Sequence, residues 1–240
     1  MDFGPTRAKA EGQAPYLAPE IWGLFPADLD DEDKPVGWDI RPLKDFFSII
    51  GGGTPKTSVE TYWRGEIPWF SVVDTPPKGS VFVIETEKSI TKRGLQESSA
   101  RLIPEGTTII SVRGTVGNLA MAAQEMTFNQ SCYALRCNDK IGDCFVYLAA
   151  QNMIDQLKSM AHGSVFSTIT RQTFEAVSLP MPTRPALQAF ENLATSLFLR
   201  IKSNVAESYT LVATRDLLLP KLMSGEIRLC DAERAVEAVL

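Results

Sequence analysis

The chain has 240 residues, 44% of them hydrophobic, and a formal net charge of −5 at pH 7. That is enough apolar material to bury a core in one large or two small domains. No run approaches the roughly 20 apolar residues of a membrane span, and the opening MDFGPTRAKAEG lacks the apolar centre of a signal peptide, so a soluble, cytoplasmic protein without membrane contact is expected.

The acid sits at one end. Residues 1–40 carry three basic and nine acidic side chains, which leaves twenty-one basic and twenty acidic for the rest. A chain that binds nucleic acid alone by charge is normally far more basic, so partners would have to neutralise much of any phosphate it meets.

Residues 1–37 are rich in Pro, Ala and acid and read as an irregular leader, with 28–35 as a solvated run. The apolar islands at Tyr16-Leu17 and at Ile21, Trp22, Leu24 and Phe25 predict that the leader is pinned on a surface. From Trp38 the composition changes. Leu43, Phe46, Phe47 and Ile50 give a short helical face stopped by three glycines. The following GGGTPKT is not a phosphate loop: counted back from Lys56, that motif needs glycine at 55 and 50, where this chain has Pro55 and Ile50.

Residues 62–70 lead into a short strand, 81–84 suggest a second, and 91–100 read as a polar helix start or loop with little to pack. The clearest β signal is a hairpin over 107–122, introduced by Pro104-Glu105-Gly106. A strand over 131–136, a helix over 145–160, a short helix near 171–176 and an edge strand over 177–182 follow, the last kept at an edge by its prolines.

The segment 184–226 predicts a long amphipathic helix of at least seven turns. Leu187, Phe190, Leu193, Leu197, Ile201, Val205 and Val212 recur at steps of three, four and seven, with no internal glycine. Pro185 suits the first turn, Pro220 should kink or end the helix, and Gly225 closes the segment. From Pro185 to Leu219 the helix spans roughly 50 Å, more than a small domain needs, so a partner helix is expected. Ser208 and Arg215 interrupt strict heptads, which favours a short antiparallel pair or bundle over an extended zipper.

The chemistry-bearing motifs are sparse. Cys132, Cys137, Cys144 and Cys230 show no CxxC spacing and His162 is the only histidine, so no metal site is expected. There is no G-x-S-x-G, no H-E-x-x-H, no P-C-x-x-C and no G-x-G-x-x-G. The composition reads as a binder and scaffold with no cofactor of its own.

Taken in order, the motifs resemble the specificity subunit of type I restriction-modification systems. They are Gly52-Gly53-Thr54-Pro55, Tyr62-Trp63 with Gly65, Ile67, Pro68 and Trp69, Ile90-Thr91 with Gly94-Leu95, and Pro104-x-Gly106-Thr107. They continue with Ser111-x-Arg113-Gly114-Thr115-x-Gly117, Asn129-Gln130, Gly163-Ser164, Leu179-Pro180-x-Pro182, and the closing run from Leu218-Leu219-Pro220-Lys221-Leu222 to Ser224-Gly225-Glu226-Ile227. The resemblance spans roughly 37–229. In that family two recognition domains are each followed by a conserved helix, and the helices pair antiparallel as a spacer.

One of each is present here. The resemblance therefore implies an α/β (α+β) target recognition domain at 38–182 followed by a long dimerisation and spacer helix at 183–229. The leader 1–37 precedes them and a tail, 230–240, lies beyond the pattern. It implies a non-catalytic half-subunit that reads one half of a bipartite site on double-stranded DNA. Its partners would be methyltransferase subunits, which hold S-adenosylmethionine, restriction subunits, and either a second copy or an N-terminal half-subunit. DNA contact is expected from the polar stretch 71–101 and the hairpin turn. Lys78, Lys92, Arg93 and Arg113 would reach guanine edges or phosphates, and Thr91, Ser98 and Thr115 would make shorter hydrogen bonds, although all suit an ordinary surface equally. Arg113 has a rival role, bracing the hairpin through Glu125 or Asp74. Phe190, Leu197, Ile201, Val205 and Val212 are the expected partner interface. Two other classes stay open: a helical dimerising assembly protein whose recognition domain has decayed, and a nucleotide hydrolase using Lys56.

Overall fold

The structure, a computed structural model, describes residues 3–77, 79–138, 142–162 and 168–228. In chain order the elements are α1 (Gly4–Ala10), α2 (Pro19–Trp22), β1 (Asp39–Pro42), β2 (Phe47–Gly51), β3 (Trp63–Phe70), β4 (Phe82–Val83), β5 (Lys88–Ile90), α3 (Lys92–Gln96), β6 (Thr108–Ser111), β7 (Leu119–Ala122), β8 (Thr127–Phe128), β9 (Cys132–Cys137), α4 (Asp143–His162), α5 (Arg171–Glu175), β10 (Ser178–Met181) and α6 (Arg184–Met223). This is a mixed-sheet domain followed by one long helix. Among these described residues no helix is long and apolar enough to cross a membrane.

The expected hairpin is the centre of the fold. β6 and β7 pair antiparallel, with Ile109 opposite Ala120, inside a five-stranded sheet of order β2-β9-β6-β7-β4. All four residues of β6 are buried because both faces of the sheet are covered. Ile110 points to one side, with Phe47, Leu135, Met153 and Phe174 under α4 and α5. Ile109 points to the other, with Phe70, Met126, Phe128 and Ala134. There the second layer is the three-stranded sheet β5-β3-β8. Successive side chains of a strand face opposite ways, which is why an unbroken apolar run serves a strand sandwiched between two layers.

Three local expectations change. Residues 43–50 form a short 3₁₀ turn at Leu43–Asp45 and then strand β2, not a helical face. Phe47 and Ile49 are buried and Ser48 is exposed, so the operative period is two. The leader, expected to be irregular, carries the two short helices α1 and α2. Phe3, Pro5, Phe25 and Trp38 meet Phe145, Leu148, Pro180 and Leu187 around an apolar cavity of about 560 Å³, so Phe25 of the expected islands is held on the domain, whereas Tyr16 stays 58% exposed and stacks on Trp22 within the leader at 5.2 Å. Pro220 does not end α6, which runs on to Met223. The residues around it are exposed, so water can serve the carbonyl that its ring displaces. Gly225, at φ +74°, follows the helix end, where Gly225 N donates to Leu222 O at 3.2 Å.

β1 and β10 pair antiparallel as a separate two-stranded sheet, with Ile40 opposite Pro180, consistent with a strand whose prolines bar it from a central place. α6 then leaves this sheet and lies along α4. Phe145 and Phe190 stack edge-on at 6.4 Å, and Tyr147 and Phe198 at 5.8 Å. Two polar contacts fix the helix. Buried Glu191 accepts a hydrogen bond from Phe145 N at 2.7 Å, which satisfies a free donor in the first turn of α4. Lys202 Nζ lies 2.5 Å from Glu105 Oε1 on the turn before β6.

Glu191→Ala is expected to lower the unfolding free energy by about 1–3 kcal/mol, because it strands a buried N–H. Glu191→Gln should cost less, and urea denaturation of the two variants measures the difference. Beside this contact, burial pushes the Cys144 thiol up to about 12, with the Glu191 charge adding to it. Burial likewise raises Cys132 to about 12, so both behave as apolar core thiols. Burial also raises Asp143, Arg136 opposes the shift, and Glu191 reinforces it.

Candidate nucleic-acid interface

The candidate site residues fall into three groups. The first has duties inside the fold. Thr91 is the N-cap of α3: its hydroxyl accepts from Gly94 N at 3.0 Å and donates to Thr61 O at 2.8 Å. Gly94 fits there because an added Cβ would stand 2.4 Å from Tyr62 O, so 91–100 is closely packed at this point. Arg93 pairs with Glu97 at 3.0 Å and lies over the Tyr62 ring, whose hydroxyl donates to Glu97 at 2.8 Å. The bonds from Arg93 and Tyr62 hold the Glu97 carboxyl below its usual range. Ser98 accepts from Ala100 N at 3.1 Å.

The second group is open to solvent. Lys92, Arg113 and Thr115 are exposed, and Arg113 makes no ion pair among the described residues. The rival bracing role for Arg113 is not realised. Asp74 is taken up by Ser71 and by Glu87 N, and Ser111 Oγ closes the hairpin turn by accepting from Asn118 N at 2.9 Å and donating to Thr115 O. Lys78 forms the third group, since it lies outside the described residues, as do 163–167 and the tail 230–240.

Four segments far apart in sequence converge at one end of the five-stranded sheet: the end of β2 with the glycine loop, the turn after β6, the start of β9, and the residues before α5. Val112 N donates to Ser131 O at 2.8 Å and Ile169 N donates to Val112 O at 3.1 Å, which sets Arg113 between the β9 and α5 segments. Thr54 bonds Gln130 across the same edge. The glycine loop is not followed by a helix, as a phosphate loop would be, but by a 3₁₀ turn at Glu60–Tyr62. Its main chain is bound instead: Gly53 N donates to Phe128 O at 2.9 Å, and Trp69 Nε1 donates to Gly53 O at 3.0 Å.

Comparison with known proteins places this architecture. The description "Type I restriction modification DNA specificity domain" matches residues 35–189, well over half of the chain.

The chain belongs to the type I restriction-modification DNA specificity family.

Among curated relatives it is 30% identical over 164 residues to the type I restriction enzyme MjaIX specificity subunit of Methanocaldococcus jannaschii, covering 68% of this chain and 38% of that protein. It is 28% identical over 214 residues to the HindI specificity subunit of Haemophilus influenzae, covering 85% of this chain and 46% of that protein. The chain thus spans less than half the length of the curated relatives it matches. Solved structures share the fold. The HsdS subunit from Thermoanaerobacter tengcongensis superposes with a TM-score of 0.50 at 21% identity, covering 93% of this chain and 50% of that one. The type I system S subunit from M. genitalium gives 0.56 at 18% identity, covering 77% and 45%.

Two further arginines stand at this end of the sheet: Arg101, which closes the polar stretch expected from sequence but is not singled out within it, and Arg171, which the sequence reading does not name. Arg101 is exposed and has no ion pair among the described residues. Arg171 stands 3.7 Å from Glu175, beyond hydrogen-bond reach. A local signal was available for Arg93, since an acid four residues on predicts a helical ion pair. Nothing local marks Arg101, because its neighbours come from β2, β9 and α5.

The expected partner residues on α6 also divide. Ile201 packs with Phe82, Met121 and Tyr147 in the chain's own core, and Phe190 stacks on Phe145. Val205 and Val212 line a groove of about 570 Å³ against Pro76, Pro77 and Ser80. Leu197 remains 60% exposed.

Proposed function

We propose that this chain reads one half of a bipartite site on double-stranded DNA for a type I restriction-modification complex. In this reading it performs no chemistry. It carries recognition on the sheet domain and docks methyltransferase subunits, which bring S-adenosylmethionine, and restriction subunits. The observation that carries the reading is the specificity-domain match over 35–189, on a domain whose loops converge at one sheet end with exposed arginines. The chain matches 38% and 46% of two specificity subunits, and in this reading the other half of the site is read by a second recognition domain, supplied by another copy or by an N-terminal half-subunit. A symmetric pair would read an inverted repeat.

The test mixes purified chain with type I methyltransferase subunits and labelled duplexes of varied sequence. A ternary complex with a sequence preference is the expected result. An assembly that forms yet binds every duplex alike would support the alternative, a helical assembly protein with a decayed recognition domain.

A further inference from the structure

We propose that the cleft bounded by Gly51, Gly52, Ser99, Arg101, Tyr133 and Arg171 is a phosphate site that holds the backbone of duplex DNA; this rests on the DNA-binding reading above. The cleft encloses about 320 Å³, and Ile49 completes its described lining. Arg101 and Arg171 both line it and no described carboxylate does. Arg101 has no ion pair among the described residues, and Arg171 has only the 3.7 Å approach to Glu175, with its side chain 67% exposed. Two cations sharing one cleft repel each other until an anion lies between them, and paired guanidinium forks match phosphate oxygens.

The walls suit that ligand as well. Tyr133 is held by its ring against Phe174 at 5.9 Å, and its hydroxyl makes no hydrogen bond among the described residues. Gly51 adds no side chain to the wall, and a Cβ there would meet only the Tyr133 ring at 3.8 Å, so a phosphate can approach the main chain at that point. Other clefts differ in charge. The one around Arg64 and Lys88 includes Glu87, and the one beside Lys202 includes Glu105, Asp143 and Glu191. Exposed Arg113 and Lys56 lie on the turn after β6 and the loop after β2, at the same end of the sheet, while in the acidic run of the leader Asp33 pairs with Arg7 at 3.0 Å. A duplex would therefore track over the loop end of the five-stranded sheet rather than along α3, where Arg93 is already paired.

The full chain, alone and with methyltransferase subunits, is titrated against a fluorescein-labelled duplex by anisotropy from 25 to 200 mM salt. Arg101→Ala, Arg171→Ala and the double variant are compared with Lys44→Ala, an exposed lysine before the opposite end of β2, and circular dichroism checks that these exposed substitutions leave the fold intact. The double variant is expected to weaken binding about tenfold on every sequence and to lower the salt slope by about two, one for each lost phosphate contact, with Lys44→Ala changing neither. If the parent chain binds no duplex under either condition, the DNA reading falls and this site with it. If it binds and the double variant keeps its affinity and slope, the site alone is overturned. A loss confined to one base position would overturn the phosphate role. Inorganic phosphate that binds through Arg101 and Arg171 without competing with the duplex would overturn DNA as the source of the anion.

Discussion

Gly52→Ala and Gly53→Ala are expected to destabilise the protein by about 3 kcal/mol or more each, at the upper end of what overpacking costs. A Cβ on Gly52 would stand 2.0 Å from Asn129 O and 2.6 Å from Phe128 Cδ2. One on Gly53 would stand 2.2 Å from Ser99 O and 2.3 Å from Ser99 C. The nearest obstacles, Asn129 O and Ser99 O, are main-chain atoms, which move only with their segments. Those segments are also tied to the loop itself, through Gly52 N to Cys132 O at 3.3 Å and the bonds of Gly53 to Phe128 and Trp69. The melting temperature should fall by roughly 6–12 °C, at about 2–4 °C per kcal/mol for a chain of this size. Gly12→Ala is the control. Its φ of +68° strains any side chain, but nothing lies within 4 Å, so a cost of about 1–2 kcal/mol is expected. Calorimetry of the three variants checks the order. Equal small losses at all three positions would mean that the loop is free to move and does not organise the sheet end.

The second large effect concerns α6. Leu211→Lys with Leu218→Lys should abolish self-association while leaving the fold intact, whereas Ile201→Lys should damage the fold. Up to Val205 one face of the helix lies on its own domain, with Ala194 buried and Phe198 and Ile201 packed against Tyr147 and Phe82. Beyond Val205 the residues through Pro220 are all exposed. An apolar stripe nevertheless continues at seven-residue steps through Leu197, Leu211 and Leu218, which are 60%, 61% and 39% exposed. Asn204 falls within the stripe and Arg215 beside it, so a short antiparallel contact with limited register suits it better than a long zipper. Lysine at Leu211 and Leu218 would place two charges in that contact without touching the domain. Sedimentation should show the parent chain shifting from dimer to monomer on dilution and the double variant staying monomeric. If the parent chain is monomeric at high micromolar concentration, pairing with an identical copy is excluded, and the stripe is left for a different half-subunit.

Local physics carried much of this protein. The strand signal at 107–122 comes from β-branched residues bounded by glycine turns, and it marks the central hairpin of the sheet. The apolar period of 184–219, free of glycine, becomes a helix of 40 residues, and Pro180 within β10, with Pro182 just after it, keeps that strand out of the large sheet. The ordered motifs were likewise sufficient to place the chain in its family. The misreading at 43–50 shows where local pattern runs out: Leu43, Phe46, Phe47 and Ile50 suit a helical face while Phe47 and Ile49 suit a strand, and pairing with β9, almost ninety residues on, selected the strand.

The interface was less legible, for the same reason. Thr91, Arg93 and Ser98 have the chemistry of DNA contacts, but whether a polar side chain is free depends on what lies beside it, and here a helix cap, an ion pair and a backbone bond engage them. Arg101 and Arg171, seventy residues apart, share a cleft only because the register of β2, β6 and β9 brings their loops to one end of the sheet. Which part of the long helix is spoken for was decided the same way, since periodicity defines an apolar face but not its occupant. The period, the turns and the family motifs are written in neighbouring residues; the cationic cleft and the covered length of α6 exist only once distant strands have paired, because contact between remote segments is set by the register of the sheet and the seating of helix on helix.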